Sequence, residues 1–298
     1  MSKILAVGIA TIDIINTVTH YPEEDSEVRA TSQRIVRGGN ATNTLTVLSQ
    51  LGHQCFWAGT MANDINASII EKKLAQYQIN YDYVTVINGA TNPSSYIIHC
   101  EGNEGKNKSS RSIVHYRDLS EYSFAEFQKI PLAEFDWIHF EGRNIEQVFL
   151  MQQYCKQHYP NLPISTEIEK NRSDIEKLYQ YSDVLMFSRQ FALAQNKNNA
   201  KEFLNSLNQI QLQDKLLSCT WAEQGACLMK QGEIISSKAF YQNKAIDTLA
   251  AGDTYNASLI HGLLSSDNWS PQTLQVILQT ACQTAGKKCS QIGLDNLF

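Results

Sequence analysis

The sequence lacks both a long apolar run and an excess of positive charge. No apolar segment approaches the about 20 residues that a membrane span requires. Met1-Ser2-Lys3 leads directly into a short apolar segment and is too brief for a signal peptide. The chain has 25 Lys and Arg against 30 Asp and Glu, a formal net charge of −5, whereas general nucleic-acid binding needs a basic face. We therefore expect a cytoplasmic protein without a membrane or nucleic-acid partner.

Cysteine pairs at metal-binding spacing are also missing. The seven cysteines are scattered, no two form a C-x-x-C pair, and no matching cluster of histidines accompanies them. This pattern argues against a zinc site. We expect reduced thiols, most of them buried.

Several widespread catalytic signatures are absent. The sequence contains no G-x-x-x-x-G-K-[ST] phosphate loop and no G-x-G-x-x-G fingerprint after its first predicted strand. The H-R-D and D-F-G signatures of protein kinases and the G-x-S-x-G elbow of many hydrolases are missing too. These absences argue against each of those enzyme classes.

What is present is the alternating pattern of an α/β protein. The 298 residues are 43% hydrophobic and 18% charged, which is enough to bury a sizeable core. Short apolar runs alternate with segments of helical periodicity, which predicts a parallel sheet covered on both faces. The predicted strands are 3–9, 54–58, 135–140, 163–168, 184–187 and 215–221, and the predicted helices are 40–51, 66–78, 145–158, 201–208, 252–264 and 271–290.

Two segments interrupt this alternation. Residues 14–33 and 94–116 look extended and have no helices of their own, and the runs 95–100 and 111–116 predict a β-hairpin. Antiparallel strands in such a protein suggest a small lid over the C-terminal edge of the sheet, where these folds bind ligands. We interpret residues 1–298 as one domain, with a β lid built from insertions at roughly 14–37 and 91–117.

The strongest catalytic signal lies between Asp247 and Ser258. Small residues precede Gly252 and Asp253, and a segment with helical periodicity follows. Free N–H groups at a helix start form an anion site, and a carboxylate beside it would repel a bound phosphate. Asp253 fits better as the group that accepts the proton of an attacking hydroxyl. The alternative from these residues alone is that Asp253 caps the helix, because Asp is a favoured N-cap.

A second polar group lies near the N-terminus. It consists of Asp13, Asp25 and the Gly38-Gly39 pair before a helix that carries Asn40 and Asn43. These two amides are three residues apart and share a helix face. Carboxylates and amides are the groups that pair with neighbouring hydroxyls of a polyol. The alternative is a Gly-rich turn with an Asn cap.

The sequence resembles the ribokinase-like (PfkB) carbohydrate kinases. Segment 38–41 (Gly-Gly-Asn-Ala) and segment 247–254 (Asp-Thr-Leu-Ala-Ala-Gly-Asp-Thr) are similar to the two signatures of that family. Within the family the resemblance is strongest to the branch that phosphorylates ketohexoses, typically D-fructose, at the 1-hydroxyl. It runs nearly end to end and includes segments 21–27, 137–144, 221–226 and 285–289.

The resemblance implies a Rossmann-like kinase core whose β lid also forms a homodimer interface. It implies transfer of the ATP γ-phosphoryl group to a sugar, with Mg²⁺, with Asp253 as the catalytic base and with Ala251 and Gly252 as the anion hole. The N-x-x-E pattern of many relatives is not visible around residues 188–195, so no metal ligand is identified. A monovalent cation such as K⁺ lies beside the positions of Asp247 and Thr248 in some relatives, although a turn cap is the stronger interpretation here.

The other residues implied by the resemblance belong to the sugar and the nucleotide. Gly225 would let the chain pass near the base or ribose, and Cys282 is equally well explained as a buried structural thiol. For Arg111, near the phosphates, the alternative is a solvated strand charge. The sugar positions are Asp13, Asp25, Gly39, Asn40 and Asn43, and the nucleotide positions are Arg111, Trp221, Glu223, Gly225, Ala226 and Cys282.

Two departures from the family pattern bear on activity. Ala250 replaces the first Gly of the family's G-A-G-D, and Ser110 replaces an Asn that precedes Arg111 in the ketohexose branch. Gly is indispensable only where φ is positive or a Cβ would strike the ligand, so we predict negative φ at Ala250 and an active enzyme. A positive φ would favour an idle relative that binds sugar or nucleotide as a sensor. Besides the ketohexose kinase and the idle relative, a third hypothesis is a kinase for another sugar or for a nucleoside.

Overall fold

The computed structural model describes residues 1–100, 110–207, 212–240 and 245–298. The strands in these ranges are β1 (Lys3–Val7), β2 (Thr11–Val18), β3 (Ser32–Gly38), β4 (Gln54–Ala62), β5 (Asn80–Ile87), β6 (Ser94–Cys100), β7 (Ser110–Tyr116), β8 (Trp137–Glu141), β9 (Ile164–Ile168), β10 (Val184–Phe187), β11 (Leu216–Thr220), β12 (Ala226–Lys230) and β13 (Glu233–Ser237). The helices are α1 (Asn40–Gln50), α2 (Ala67–Gln76), α3 (Phe124–Phe127), α4 (Ile145–His158), α5 (Arg189–Ala194), α6 (Ala200–Leu207), α7 (Ala251–Leu264) and α8 (Pro271–Cys289).

A nine-stranded sheet runs through the described part of the molecule in the order β13-β12-β11-β10-β9-β8-β1-β4-β5. Neighbouring strands from β11 to β5 are parallel, and β12 and β13 add an antiparallel edge. In β1, Leu5 and Val7 belong to one apolar core, while Ile4 and Ala6 belong to a second. Because successive side chains of a strand point to opposite faces, the sheet is buried on both sides. The predicted α/β fold, a mostly parallel sheet flanked by helices with a small β-sheet beside it, is confirmed.

The helices follow the expected sequence rules. α6 buries Ala200, Phe203, Leu204 and Leu207, the i, i+3, i+4, i+7 spacing of an amphipathic helix. Helix α8 begins where Ser270 Oγ accepts a hydrogen bond from Thr273 N at 3.2 Å. In the described ranges, none of the helices combines the length and the apolar character needed to span a bilayer.

A separate four-stranded sheet, in the order β3-β2-β6-β7, forms the lid. Strands β2 and β6 are parallel, whereas the β2–β3 and β6–β7 pairs are antiparallel. The predicted hairpin therefore corresponds to β6 and β7, and its connection, residues 101–109, lies outside the described residues. The register places Asp13 beside both Val36 and Ser95, so one face of the lid is built from alternate residues of all its strands.

The predicted strands and helices recur in the structure, but the edges of the main sheet and the short helices α3 and α5 were not predicted. Predicted helix 145–158 and predicted strand 184–187 coincide with α4 and β10. Strands β5, β12 and β13 were not predicted. The β12–β13 connection, Gln231 and Gly232, has positive φ at both residues (51° and 81°), as a two-residue type I′ hairpin requires. Gln-Gly is not among the strong signals for that turn, which explains why the hairpin escaped prediction.

Candidate active site

A cavity of about 640 Å³ lies at the carboxyl ends of the parallel strands. The main sheet contributes Glu141 at the end of β8, Glu167 and Glu169 from β9 and beyond, and Thr220 at the end of β11. The opposite wall is the lid. This edge is where open α/β sheets bind their ligands.

The lid presents alternating polar side chains to the cavity. Asp13, Ser95 and His115 lie in one row across β2, β6 and β7, and all three line the cavity. Arg34 and the exposed Arg111 line it too, from β3 and β7. The lid thus brings the Asp13 carboxylate and the guanidinium groups of Arg34 and Arg111 to the cavity.

Asp253 is a buried carboxylate in the first turn of α7. Its side chain lines the cavity, and Asn43 Nδ2 donates a 2.8 Å hydrogen bond to its Oδ2. The N-cap of α7 is Ala250, so Asp253 is not the helix cap. Burial, together with the charges of Glu169 and Glu141, raises the pKa of Asp253 to about 7, although the Asn43 hydrogen bond and Arg37 oppose the shift. A carboxylate with this pKa is suited to accept a proton near neutral pH.

Glu141, Glu167 and Glu169 lie beside Asp253 and were missed from the sequence. Glu141 is buried and accepts a 3.0 Å hydrogen bond from the Ile9 amide. Glu167 is buried too, and burial, followed by the charge of Asp253, raises its pKa well above the usual range. The signal for Glu141 and Glu167 was a charged residue inside a buried strand, in His139-Phe140-Glu141 and in segment 165–169, Ser-Thr-Glu-Ile-Glu.

Two amides connect these carboxylates to the helices. Asn40 Nδ2 donates to Glu167 Oε2 at 3.1 Å and to Glu169 Oε2 at 3.3 Å, and Asn256 Nδ2 donates to Glu167 Oε1 at 3.1 Å. Asn40 and Asn43 therefore lie on the same face of α1 and reach Glu167 and Asp253 respectively. The predicted amide pair is brought to the cavity.

The two glycines before α1 are required by close packing. Gly39 caps α1 with φ of +103°, and a Cβ there would lie 2.2 Å from the Ile9 carbonyl oxygen. A Cβ on Gly38 would lie 2.1 Å from Asp13 Oδ2. The glycine pair thus lets the root of the lid approach the carboxylate of Asp13, whose pKa is raised by burial despite a hydrogen bond from Thr11.

The predicted negative φ at Ala250 is wrong. Ala250 has φ +61° and ψ +14°, in the left-handed region, which costs an alanine roughly 1 kcal/mol. The reason is that α7 begins at Ala251, one residue before the predicted start, so Ala250 is its N-cap and the chain turns there to enter the helix. Ala251 and Gly252 still open the helix and line the cavity, and a Cβ on Gly252 would have open space around it. The strain therefore lies on the residue before the predicted anion hole.

The structure does not bring Asp25 to the cavity. Asp25 is exposed, has φ of +57°, lies between β2 and β3, and is not a lining residue. The other predicted sugar-side residues, Asp13, Gly39, Asn40 and Asn43, all line the cavity.

The predicted nucleotide residues beyond Arg111 lie next to the cavity rather than in its wall. Trp221 is buried after β11, and the Arg189 guanidinium lies 5.8 Å from its ring centroid. Glu223 is exposed and pairs with Arg189 at 3.3 Å. Gly225 has φ of +97°, and a Cβ there would lie 2.0 Å from the Ser237 carbonyl oxygen. Packing within the β12–β13 edge therefore explains this glycine without a ligand.

Cys282 and Ala226 are buried on the same side of the sheet. Burial raises the pKa of the Cys282 thiol, while hydrogen bonds with Ser237 and the Ala226 backbone oppose the rise. These contacts agree with a buried structural thiol. They also place Cys282 against the start of β12, beside the predicted nucleotide side.

The family model described as pfkB family carbohydrate kinase matches residues 1–297. The chain is 37% identical over 303 residues to a ketohexokinase of Mus musculus, covering 99% of this chain and 98% of that protein. A ribokinase from Giardia lamblia has a similar fold, with a TM-score of 0.82 at 16% identity and coverage of 100% of this chain and 96% of that one. A Cryptococcus neoformans ribokinase in complex with ADP gives 0.72 at 17%, covering 98% and 95%.

The chain belongs to the pfkB family of carbohydrate kinases. It is an ATP-dependent sugar kinase with a ribokinase-like core. This membership bears out the resemblance drawn from the two signature segments.

Proposed function

We propose that the protein transfers the γ-phosphoryl group of ATP to the 1-hydroxyl of a ketohexose, with D-fructose as the preferred substrate. The observation that carries this proposal is the buried Asp253 carboxylate, with a pKa of about 7, facing a polar cavity under the lid. The 37% identity to a ketohexokinase across nearly the whole chain supports the choice of a ketohexose.

Asp253 is the proposed base. It accepts the proton of the sugar hydroxyl as that oxygen forms its bond to the γ-phosphorus, while the bond to the ADP oxygen breaks. The first N–H groups of α7, on Ala251 and Gly252, carry the positive end of the helix dipole. The Ala251 N–H donates a long hydrogen bond of 3.4 Å to the Thr248 carbonyl oxygen, which a bound phosphate would have to replace. In the proposed reaction these N–H groups stabilise the negative charge of the transferring group.

The proposed sugar site uses acceptors from the lid and amides from helix α1. Asp13 on the lid offers carboxylate oxygens, and Asn40 and Asn43 on α1 offer amides. A bound sugar would compete for the hydrogen bonds that the Asn40 and Asn43 amides donate to Glu167 and Asp253. Asp25 keeps its place in the proposal only through the resemblance.

The proposed phosphate contacts are basic side chains that line the cavity. Arg111, Lys170 and Arg172 line the cavity and supply positive charge for the ATP phosphates. Within the described residues, no group of three or more His, Cys, Asp or Glu side chains could hold a metal ion. We therefore propose that Mg²⁺ would be held by the ATP phosphates together with a single carboxylate, Glu169, which is half-buried at the cavity wall. The ion would neutralise phosphate charge.

The nucleotide base is proposed to lie by Trp221, Glu223, Gly225, Ala226 and Cys282. The homodimer through the lid is also a proposal, supported by apolar side chains exposed on its outer face. Ile35, Tyr96 and Val114 are 52%, 51% and 69% exposed.

The test is a kinase assay on a panel of fructose, other ketoses, ribose and adenosine, with the product's phosphate position assigned by NMR. We expect fructose to be used best and to give the 1-phosphate, because a tightly fitted polar site penalises analogues that leave its groups unpaired. Preferential use of ribose or adenosine, or a 6-phosphate product, would replace the ketohexose by another substrate. Binding of sugar or nucleotide without turnover would favour the idle relative. The positive φ of Ala250 supports that alternative.

A further inference from the structure

Lys288 is a buried lysine that the proposed reaction does not use. It belongs to the last turn of α8, and its side chain is 0% exposed. Its Nζ donates to the Asp247 carbonyl oxygen at 2.8 Å and to the Gln291 carbonyl oxygen at 3.5 Å, and lies 3.3 Å from Asp247 Oδ2. A buried ammonium persists only when its charge is compensated, and these oxygens compensate it.

Asp247 is the partner through which Lys288 reaches the rest of the site. Its Oδ1 accepts a hydrogen bond from the Leu249 amide at 2.9 Å, the turn cap expected of this aspartate. Its Oδ2 accepts from the Gly293 amide at 3.0 Å and lies 3.6 Å from a guanidinium nitrogen of Arg34 on the lid. Burial raises the pKa of Asp247, but Lys288 and these amides bring it below its usual value; burial in turn lowers the pKa of Lys288.

The turn held by Asp247 leads directly into the anion hole. Ile246 N and Asp247 N donate to the Cys289 carbonyl oxygen at 2.7 and 3.2 Å, which ties the loop to the end of α8. Five residues after Asp247 the chain has passed through strained Ala250 and reached Gly252. The position of the first α7 N–H groups therefore depends on how firmly the Asp247 turn is held.

The environment of Lys288 is also the one that a free monovalent cation would need. Hard cations are held by carboxylate and carbonyl oxygens, and here such oxygens surround the ammonium group. The resemblance raised K⁺ beside Asp247 and Thr248, but the oxygens of Asp247 are already engaged by Lys288, Arg34 and two amides. The residues present do not fit a free ion at Asp247.

We propose that Lys288 is a tethered cation that positions the anion-hole loop and makes the kinase independent of K⁺. The proposal rests on the anion hole proposed above. Lys288 acts as a positioning residue through Asp247, without touching a substrate.

The first experiment uses the unmodified protein. Its kcat and the KM for ATP are measured at constant ionic strength in the chlorides of Li⁺, Na⁺, K⁺, ammonium and tetramethylammonium. Because the ammonium group of Lys288 is part of the chain, no added cation is needed. We therefore expect kcat to vary by less than roughly twofold across these salts, a difference of about 0.4 kcal/mol. A tenfold or greater dependence on K⁺ would overturn the proposal.

The second experiment compares Lys288→Ala with Lys287→Ala. Lys287 is the adjacent exposed lysine, and it contacts the Leu297 carbonyl and the Phe298 ring. We expect Lys288→Ala to lower kcat by roughly 10- to 100-fold, since a displacement of about 1 Å can cost that much. K⁺ or ammonium should restore part of the loss, and tetramethylammonium should not. Lys287→Ala should behave as the unmodified protein in every salt.

A melting-temperature series separates this proposal from the assignment of the reaction. An ion that binds the folded Lys288→Ala variant raises its melting temperature, whichever sugar the enzyme uses. We expect K⁺ and ammonium to raise the melting temperature of that variant more than tetramethylammonium does, with no such difference in the unmodified protein or in Lys287→Ala. Equal effects of all these cations on Lys288→Ala, or unchanged kcat in that variant, would overturn the proposal.

Discussion

At the scale of single residues, the active centre is defined by buried carboxylates, and their burial lowers the stability of the fold. Asp253, Glu141 and Glu167 lie close together with little solvent, and burial raises the pKa of each. An ordinary core position would hold an apolar residue instead. Such destabilisation is consistent with a binding site, where contacts with the substrates compensate it.

The first prediction concerns Asp253→Asn. Loss of the proton acceptor should lower kcat by roughly 10²- to 10⁴-fold, the usual contribution of a general base. The unmodified enzyme should also lose activity as the pH falls through about 7, where Asp253 becomes protonated. Steady-state kinetics from pH 5.5 to 9 test both, with the exposed Asp214→Asn as a control that should keep full activity. Near-normal turnover by folded Asp253→Asn would remove Asp253 from the mechanism.

The same variant has an expected signature in stability. The unfolded-state pKa of Asp253 is near 3.8 and the folded value is about 7, so the folded protein binds more protons between these values. The contribution of Asp253 to stability therefore falls as the pH rises from 3.8 to 7. The melting temperature of Asp253→Asn relative to the unmodified protein should rise across this window and become constant above it. A difference that does not depend on pH would contradict the raised pKa.

The second prediction concerns Ala250→Gly. Glycine removes the left-handed strain of roughly 1 kcal/mol. It also makes the unfolded chain more flexible, which lowers the free energy of unfolding by about 0.4 to 1 kcal/mol. The free energy of unfolding should therefore change by less than about 1 kcal/mol, and kcat/KM for ATP by less than roughly tenfold. Ala250→Val is the matched control, because a β-branched residue tolerates positive φ poorly and should destabilise the fold. A gain of several hundredfold in Ala250→Gly would show that Ala250 impairs the site.

At the scale of elements, the root of the lid sets the position of the sugar carboxylate. Gly38 ends β3 next to Asp13 of β2, and a methyl group there would lie 2.1 Å from Asp13 Oδ2 and 2.6 Å from Thr11 Oγ1. The third prediction is that Gly38→Ala displaces Asp13 and raises the KM for the sugar by roughly 10- to 100-fold. The KM for ATP should stay nearly unchanged.

Gly52→Ala is the control for this lid variant. Gly52 has φ of +88° with nothing within 4 Å of an added Cβ, so alanine there adds strain without a collision. It should lower the melting temperature and leave both KM values in place. An unchanged sugar KM in Gly38→Ala would show that Asp13 does not bind the sugar.

The elements differed in how much of them the sequence could predict. Helix α4 and strand β10 followed from apolar periodicity because packing on the core decides their state. The β12–β13 hairpin depends on a Gln231-Gly232 turn, for which the sequence signal is weak. The φ of Ala250 could not be deduced from its small neighbours, since residue type limits a dihedral angle but the path of the chain into α7 sets it.

At the scale of the whole molecule, the site joins residues that are distant in the chain. Asn43 and Asp253 are 210 residues apart and share a hydrogen bond, and Asn40 and Glu167 are 127 apart. Sequence signatures identified Asn40, Asn43 and Asp253 because each lies in a recognisable turn before or within a helix. They could not identify Glu141 and Glu167, whose role follows only when the parallel strands bring their ends to one edge.

The last prediction concerns association through the lid. Ile35, Tyr96 and Val114 lie in one row across the outer face of the lid, which follows from the pairing of Ile14 with Ile35 and Tyr96, and of Tyr96 with Val114. Exposed apolar patches of this kind are typical of protein interfaces. We expect the protein to be a dimer by light scattering after gel filtration, and Val114→Glu to be a monomer, because burying an unpaired carboxylate in an apolar interface is costly.

Ile65→Glu is the control, because Ile65 is 89% exposed and lies outside the lid. It should leave the dimer intact, which would attribute the effect of Val114→Glu to its place on the lid face. A monomeric unmodified protein at assay concentration, or a Val114→Glu variant that stays dimeric, would contradict the lid interface. Because the same sheet presents Asp13 and Arg111 to the cavity on its other face, a dimer that dissociates should also show a higher KM for the sugar.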